Sequence, residues 1–195
     1  LFIIPLFFFT WLLNKTPPPT QQDVQQRTLR KPMNAAERRA FLKVFGLALV
    51  PVILSYAMLT ILRDFTEDFS NELWVQVGFG KNPDIFAQIS TVIAIIVMVV
   101  IGGFFLIKSS YRAFQLNHRV IVFGFVVTIG ATFLYHHHSI SVVPWMVLAT
   151  AGLYIGYVPF NCFYFERMLA AFKEQGNVGF VMYISDAFGY LGTVV

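Results

Sequence analysis

The chain has 195 residues, 57% of them hydrophobic and only 12% charged, with a formal net charge of +4. A soluble domain averages roughly a quarter charged residues, so this chain has too few to cover a globule of its size, and its apolar residues fall in long runs with the charges gathered between them. That grouping argues against a soluble enzyme, and it places the basic excess in membrane-flanking loops instead of on a nucleic-acid surface.

Residues 1–14, "LFIIPLFFFTWLLN", read as the end of a truncated transmembrane span, because they lack the basic start and small-residue cleavage site of a signal peptide. Residues 15–43 form a basic cytoplasmic linker carrying Lys15, Arg27, Arg30, Lys31, Arg38, Arg39 and Lys43. It opens with "TPPPTQQ", which proline keeps extended. Beyond Pro32, Asn34 followed by Glu37 three residues later predicts a capping box at the start of a helix that runs into the next span. Arg38, Arg39 and Lys43 there suit the flank of a span or anionic headgroups.

A helix of about 20 apolar residues crosses about 30 Å of hydrocarbon. On that measure spans are expected over residues 44–62, 85–107, 120–135, 142–165 and 178–195. With the truncated first run, the expectation is an all-α polytopic transmembrane helix bundle of about six spans, the first and last truncated. The loops support the count independently. The segment after residue 62 is acidic, with Asp64, Glu67, Asp68, Glu72 and Asp84 against Arg63 and Lys81. The following loops carry Lys108, Arg112 and Arg119, then no Lys or Arg, then Arg167 and Lys173. Basic loops thus alternate with non-basic ones, as the positive-inside rule requires of a chain threading back and forth through an inner (cytoplasmic) membrane. Trp11, Trp74 and Trp145 fall near span ends, where an interfacial belt is expected.

Within the spans a few polar residues stand out. Asp186 is a lone carboxylate among apolar and aromatic neighbours, and a charged Asp at the bilayer centre costs about 2.5–3.5 kcal/mol on insertion scales. Helical spacing puts Tyr183 and Tyr190 on its side, where their phenols would flank it, and sets Ser185, Gly189 and Gly192 alongside as a surface for close helix approach. The alternatives are a substrate or proton site and a structural hydrogen-bonded carboxyl. In "GLYIGYVPFN", Gly152 and Gly156 make a GxxxG packing face. Pro159 removes the amide that would bond the Ile155 carbonyl, which predicts a kink, with Asn161 beside it as a further polar group. Arg63 and Asp64, and Glu166 and Arg167, are candidate gating charges; an interfacial couple or a snorkelling arginine is the plainer alternative for each.

The run His136, His137, His138 does not match metal-ligand spacing, since consecutive residues point in different directions, and no metal or other cofactor is expected. Cys162, the only cysteine, sits in an apolar run as a small buried hydrophobe. Phosphate loops, G-x-S-x-G and paired cysteines are absent, so no catalytic set is assigned.

The segments "RDFTEDF", "YVPFNCFYFERMLAAF" and "GNVGFVMYISDAFGYLG" resemble an uncharacterised bacterial family of multi-span membrane proteins related to the major facilitator superfamily. The order of a span end, a long basic linker and five further spans looks like the C-terminal half of such a transporter. The loop "GGFFLIKSSYRAFQLNHR" keeps Gly103, Lys108 and Arg112 but lacks the Asp of the superfamily's loop signature. The resemblance implies a secondary transporter working by alternating access on an unidentified small solute. Asp186, Tyr183, Tyr190 and Asn161 would then form its site, Asp186 would be a candidate carrier of a coupling proton, and the partners would be the lipid bilayer and a missing N-terminal half. A non-transporting receptor or assembly factor on the same scaffold is the alternative.

Overall fold

A computed structural model describes residues 3–21, 24, 32–79, 83–173 and 176–194. Arg27, Arg30, Lys31 and Lys81 of the charged loops lie outside the described residues. Among the described residues every element is helical. The order is α1 (Ile3–Asn14), α2 (Ala35–Asp68), α3 (Ser70–Gln76), α4 (Pro83–Phe105), α5 (Ser110–His136), α6 (Val142–Pro159), a π turn (Phe160–Tyr164), α7 (Phe165–Phe172) and α8 (Val178–Val194).

Helix α2 begins at the capping box that its sequence predicts. The Glu37 amide donates to Asn34 Oδ1 at 2.9 Å, and the Asn34 amide donates to Glu37 Oε2 at 2.8 Å. These reciprocal bonds occupy two of the donors that a helix start leaves open. The helix then runs for 34 residues, or about 50 Å at 1.5 Å per residue, so both ends project beyond a 30 Å hydrocarbon layer. Arg38 and Arg39 lie at one end and Glu67 and Asp68 at the other.

Four helical stretches, Ala35–Asp68, Ala87–Phe105, Ser110–His136 and Val142–Phe172, are long and apolar enough to cross a membrane, while Ile3–Asn14 and Val178–Val194 are shorter apolar helices. The short apolar run over residues 120–135 belongs to a helix of 27 residues starting at Ser110. Its first turns carry Arg112, Asn117, His118 and Arg119, which lower the hydropathy without breaking the helix. Ser109 caps it, its hydroxyl accepting from the Arg112 amide at 3.5 Å.

Helix α6 is the axis of the bundle, packing against α5, α4 and α2, while α8 lies along α2 and α7 against α5. The main core gathers Tyr56 and Leu59 of α2, Ile121 of α5, Leu153 of α6 and the aromatic group Phe160, Tyr164 and Phe165 around the π turn. A smaller one joins Ile93 and Val97 of α4 to Ala151 of α6. The outward faces stay greasy: Leu47, Met98, Leu106 and Ile129 are all exposed. Helices apolar on both faces suit lipid as the surrounding solvent, since water would penalise such surface. Trp74 departs from the belt expectation. It is only 3% exposed and packs inward from α3, against Phe79.

Candidate functional site

The seams between helices are built from small residues, and this sets where polar groups come together. A Cβ on Gly124 of α5 would lie 2.5 Å from the Gly152 carbonyl oxygen and 2.9 Å from the Gly156 nitrogen. The GxxxG pair of α6 therefore meets the α5 backbone directly. On the other side of the bundle, a Cβ on Gly189 would meet Thr60 at 3.2 Å and one on Gly192 would meet Ile61 at 2.5 Å. Ser185, fully buried, completes this stripe of α8 against α2.

Asp186 stands at the edge of that stripe. Tyr56 Oη donates to Asp186 Oδ1 at 2.6 Å, from a residue 130 positions earlier in the chain. Asn161 Nδ2, in the π turn, donates to Tyr56 Oη at 3.0 Å and to Tyr157 Oη at 3.2 Å. Asp186 and Asn161 are thus brought together through Tyr56. Tyr183 and Tyr190 are not: they are 78% and 62% exposed. Measured around α8 from the buried Ser185, Asp186 lies at roughly 100°, Tyr190 at roughly 140° and Tyr183 at roughly 160°, at 100° per residue. The phenol on the carboxylate therefore comes from α2, and the two α8 tyrosines line the open side next to it.

The string continues towards the acidic end of α2. The Arg63 guanidinium lies over the Tyr157 ring, 4.2 Å from its centroid, a cation–π contact. It also bonds Asp64, with Nε 3.0 Å from Oδ1 and Nη2 closing a second contact. Glu67 Oε1 sits 3.8 Å from the same Nε and accepts a hydrogen bond from the Tyr154 hydroxyl. Arg63 is therefore folded inward over α6 and does not extend along the span edge. Glu67 and Tyr154 border a cavity of about 500 Å³ between α2, α3, α4 and α6, lined by the hydroxyls of Thr66, Ser90 and Thr150 and walled by Ile93 and Val97.

At Pro159 the helix passes into the π turn, where each amide reaches one carbonyl further back. Asn117, fully buried on α5, donates from Nδ2 to the Pro159 carbonyl at 3.0 Å. Among the described residues its Oδ1 has no partner. Nearby, His118 Nε2 and the Tyr164 hydroxyl are 3.0 Å apart. The backbone irregularity is thus braced from α5 by two polar side chains.

Arg167 reaches Ser110 Oγ at 3.5 Å, tying α7 to the start of α5, and Glu166 borders a crevice with Asn161, Cys162 and Val178. Cys162 is exposed, not buried as its apolar surroundings suggest. The histidine run forms the turn after α5, His138 adopting a left-handed backbone with φ of 55°. Among the described residues no three His, Cys, Asp or Glu side chains group closely enough for a metal ion.

The model of a family of unknown function (DUF5690) matches residues 1–195. The chain belongs to this family. Comparisons with curated proteins and with solved structures give no match. The family match brings no ligand or reaction with it, so what this DUF5690 chain does has to be argued from its own residues. Tyr56, Tyr157, Tyr154, Asn117 and Gly124 are the site and seam residues that sequence reading passes over. A tyrosine within an apolar run has the same appearance whether it packs, faces lipid or holds a carboxylate.

Proposed function

We propose that this DUF5690 chain is a multi-pass membrane protein of the bacterial inner membrane and the C-terminal half of a secondary transporter similar to the major facilitator superfamily, carrying a small solute by alternating access. The hydrogen bond from Tyr56 to Asp186 is the observation that carries this reading. It holds a carboxylate of the shorter apolar helix α8 on its seam with the membrane-length helix α2, at the rim of the open side. Intramembrane acids are costly and are retained where they serve a pathway for ions or substrates.

The polar string gives the carboxylate a connection. Asp186, Tyr56, Asn161, Tyr157, Arg63 and Glu67 lead from the α2–α8 seam to the cavity bordered by Glu67 and Tyr154. A solute in that cavity would touch hydroxyls and one carboxylate on otherwise apolar walls, as small-molecule sites commonly do. Gain or loss of a proton at Asp186 would change the acceptor that Tyr56 holds and so the seam between α2 and α8. The π turn after Pro159 interrupts the α-helical ladder between α6 and α7, the kind of broken helix found around transporter sites.

The test uses cysteines placed at Tyr183, Asp186 and Tyr190, one at a time, in a Cys162→Ser background, with the protein in its membrane. Transport predicts labelling of all three by a small, membrane-impermeant thiol reagent, because an aqueous path reaches them. A non-transporting receptor or assembly factor on the same scaffold predicts that they resist the reagent, and that result would overturn the proposal.

A further inference from the structure

Where α4 gives way to α5, the chain makes a crevice of about 560 Å³ whose walls carry Lys108, Arg112 and Arg119 together with Gln115, Leu106 and Leu116. Arg112, Gln115, Leu116 and Arg119 recur at spacings of three, four and seven, which places them on one face of α5. Lys108 approaches that face from the connection before the helix. All three cations are exposed, and among the described residues none forms an ion pair; the ion pairs there are those of Arg63 with Asp64 and Glu67. Three like charges around one crevice repel one another unless an anion sits between them, and nothing in the described fold supplies it.

The apolar members of the site fit only one kind of anion well. Leu106 is 84% exposed, and Phe105 beside it is also exposed. Both stand at the end of an apolar membrane-length helix, where hydrocarbon gives way to headgroups. A ligand with a phosphate at the cations and chains running down past Leu106 and Phe105 satisfies both halves of the crevice. A free inorganic anion satisfies only the first. The geometry points to a binding site for an anionic phospholipid, with the headgroup phosphate held by Lys108, Arg112 and Arg119 and the acyl chains laid along the outer face of α4. Basic pockets at span ends on the cytoplasmic side take such headgroups, and arginine pairs with phosphate through two parallel donors. This site is separate from the Asp186 string, so its fate does not depend on transport.

The experiment is a lipid titration of the detergent-solubilised full chain read by native mass spectrometry, with phosphatidylglycerol against phosphatidylcholine. Phosphatidylglycerol is expected to bind more tightly. The Lys108→Gln, Arg112→Gln, Arg119→Gln triple variant is expected to weaken it about fivefold per charge, on the order of a hundredfold in all. Arg112→Gln alone should show the single step, and it covers the case in which the triple variant does not accumulate. Equal affinity for the two lipids, or phosphatidylglycerol affinity left unchanged both in the triple variant and in Arg112→Gln, would overturn the site. Inorganic phosphate in millimolar amounts should leave the lipid in place; displacement by it would overturn the lipid assignment in favour of a free anion.

Discussion

The seam between α5 and α6 and the seam between α2 and α8 are both lined by small residues, yet they are sealed differently. At the first, Gly124, Gly152 and Gly156 bring two backbones into contact, and the Thr128 hydroxyl donates across it to the Ala149 carbonyl at 3.1 Å. At the second, Gly189 faces the side chain of Thr60, and the edge of the contact is held by Tyr56 and Asp186. Backbone cannot move aside without moving a helix. A side chain can rotate, and a hydrogen bond to a carboxylate depends on its charge. The α5–α6 seam is therefore built as a fixed backbone joint, and the α2–α8 seam as one held by side chains.

The largest effect that would break this contrast is expected at Gly124. Gly124→Ala puts a methyl against two backbone atoms of α6 and should destabilise the protein by about 3 kcal/mol, the upper range for overpacking, read as loss of the folded fraction in denaturant titration in detergent. Tyr56→Phe comes next. It leaves a half-buried carboxylate and the Asn161 amide each short of a partner, which costs about 2 kcal/mol in the same titration. Tyr183→Phe and Tyr190→Phe, on exposed side chains, should be silent there. An effect smaller than that of Tyr56→Phe is expected at Gly189, where an added methyl meets Thr60 side-chain atoms at 3.2 Å and beyond, not backbone: Gly189→Ala should cost less than about 1 kcal/mol. If Gly189→Ala proved as damaging as Gly124→Ala, the two seams would be equally rigid, and the distinction between them would fail.

The elements themselves were legible because their signals are local. The Asn34 and Glu37 capping box, the apolar runs, the GxxxG pair and the Gly189 and Gly192 stripe are all contained within one or two turns of helix. The site was only half legible. Asp186 and Asn161 announce themselves as polar groups in apolar surroundings. Their common partner does not, because Tyr56 stands in "ILSYAML", where a tyrosine is unremarkable, and it reaches Asp186 only through the docking of α2 on α8. Spacing along α8 showed which residues share a side with Asp186, but the rotation of that helix in the bundle decides which of them turn inward, and that rotation is set by Val181, Ser185 and Gly189. Asn117 was hidden for a related reason. Its polar neighbours His118 and Arg119 made the segment look like a loop, whereas it is helix with one polar residue turned to the core.

The π turn at Phe160–Tyr164 also bears on the register of everything after it. Such a turn winds through one residue more than the α-helix on either side. Deleting a single residue there would let the ladder close as continuous α-helix, of nearly unchanged length, with Phe165, Met168 and Leu169 still facing the core they share with Phe41 and Val181. The same deletion in the α-helix on either side would turn them about 100° away. One surplus residue is thus absorbed where Asn161 stands, at no cost to the packing beyond it.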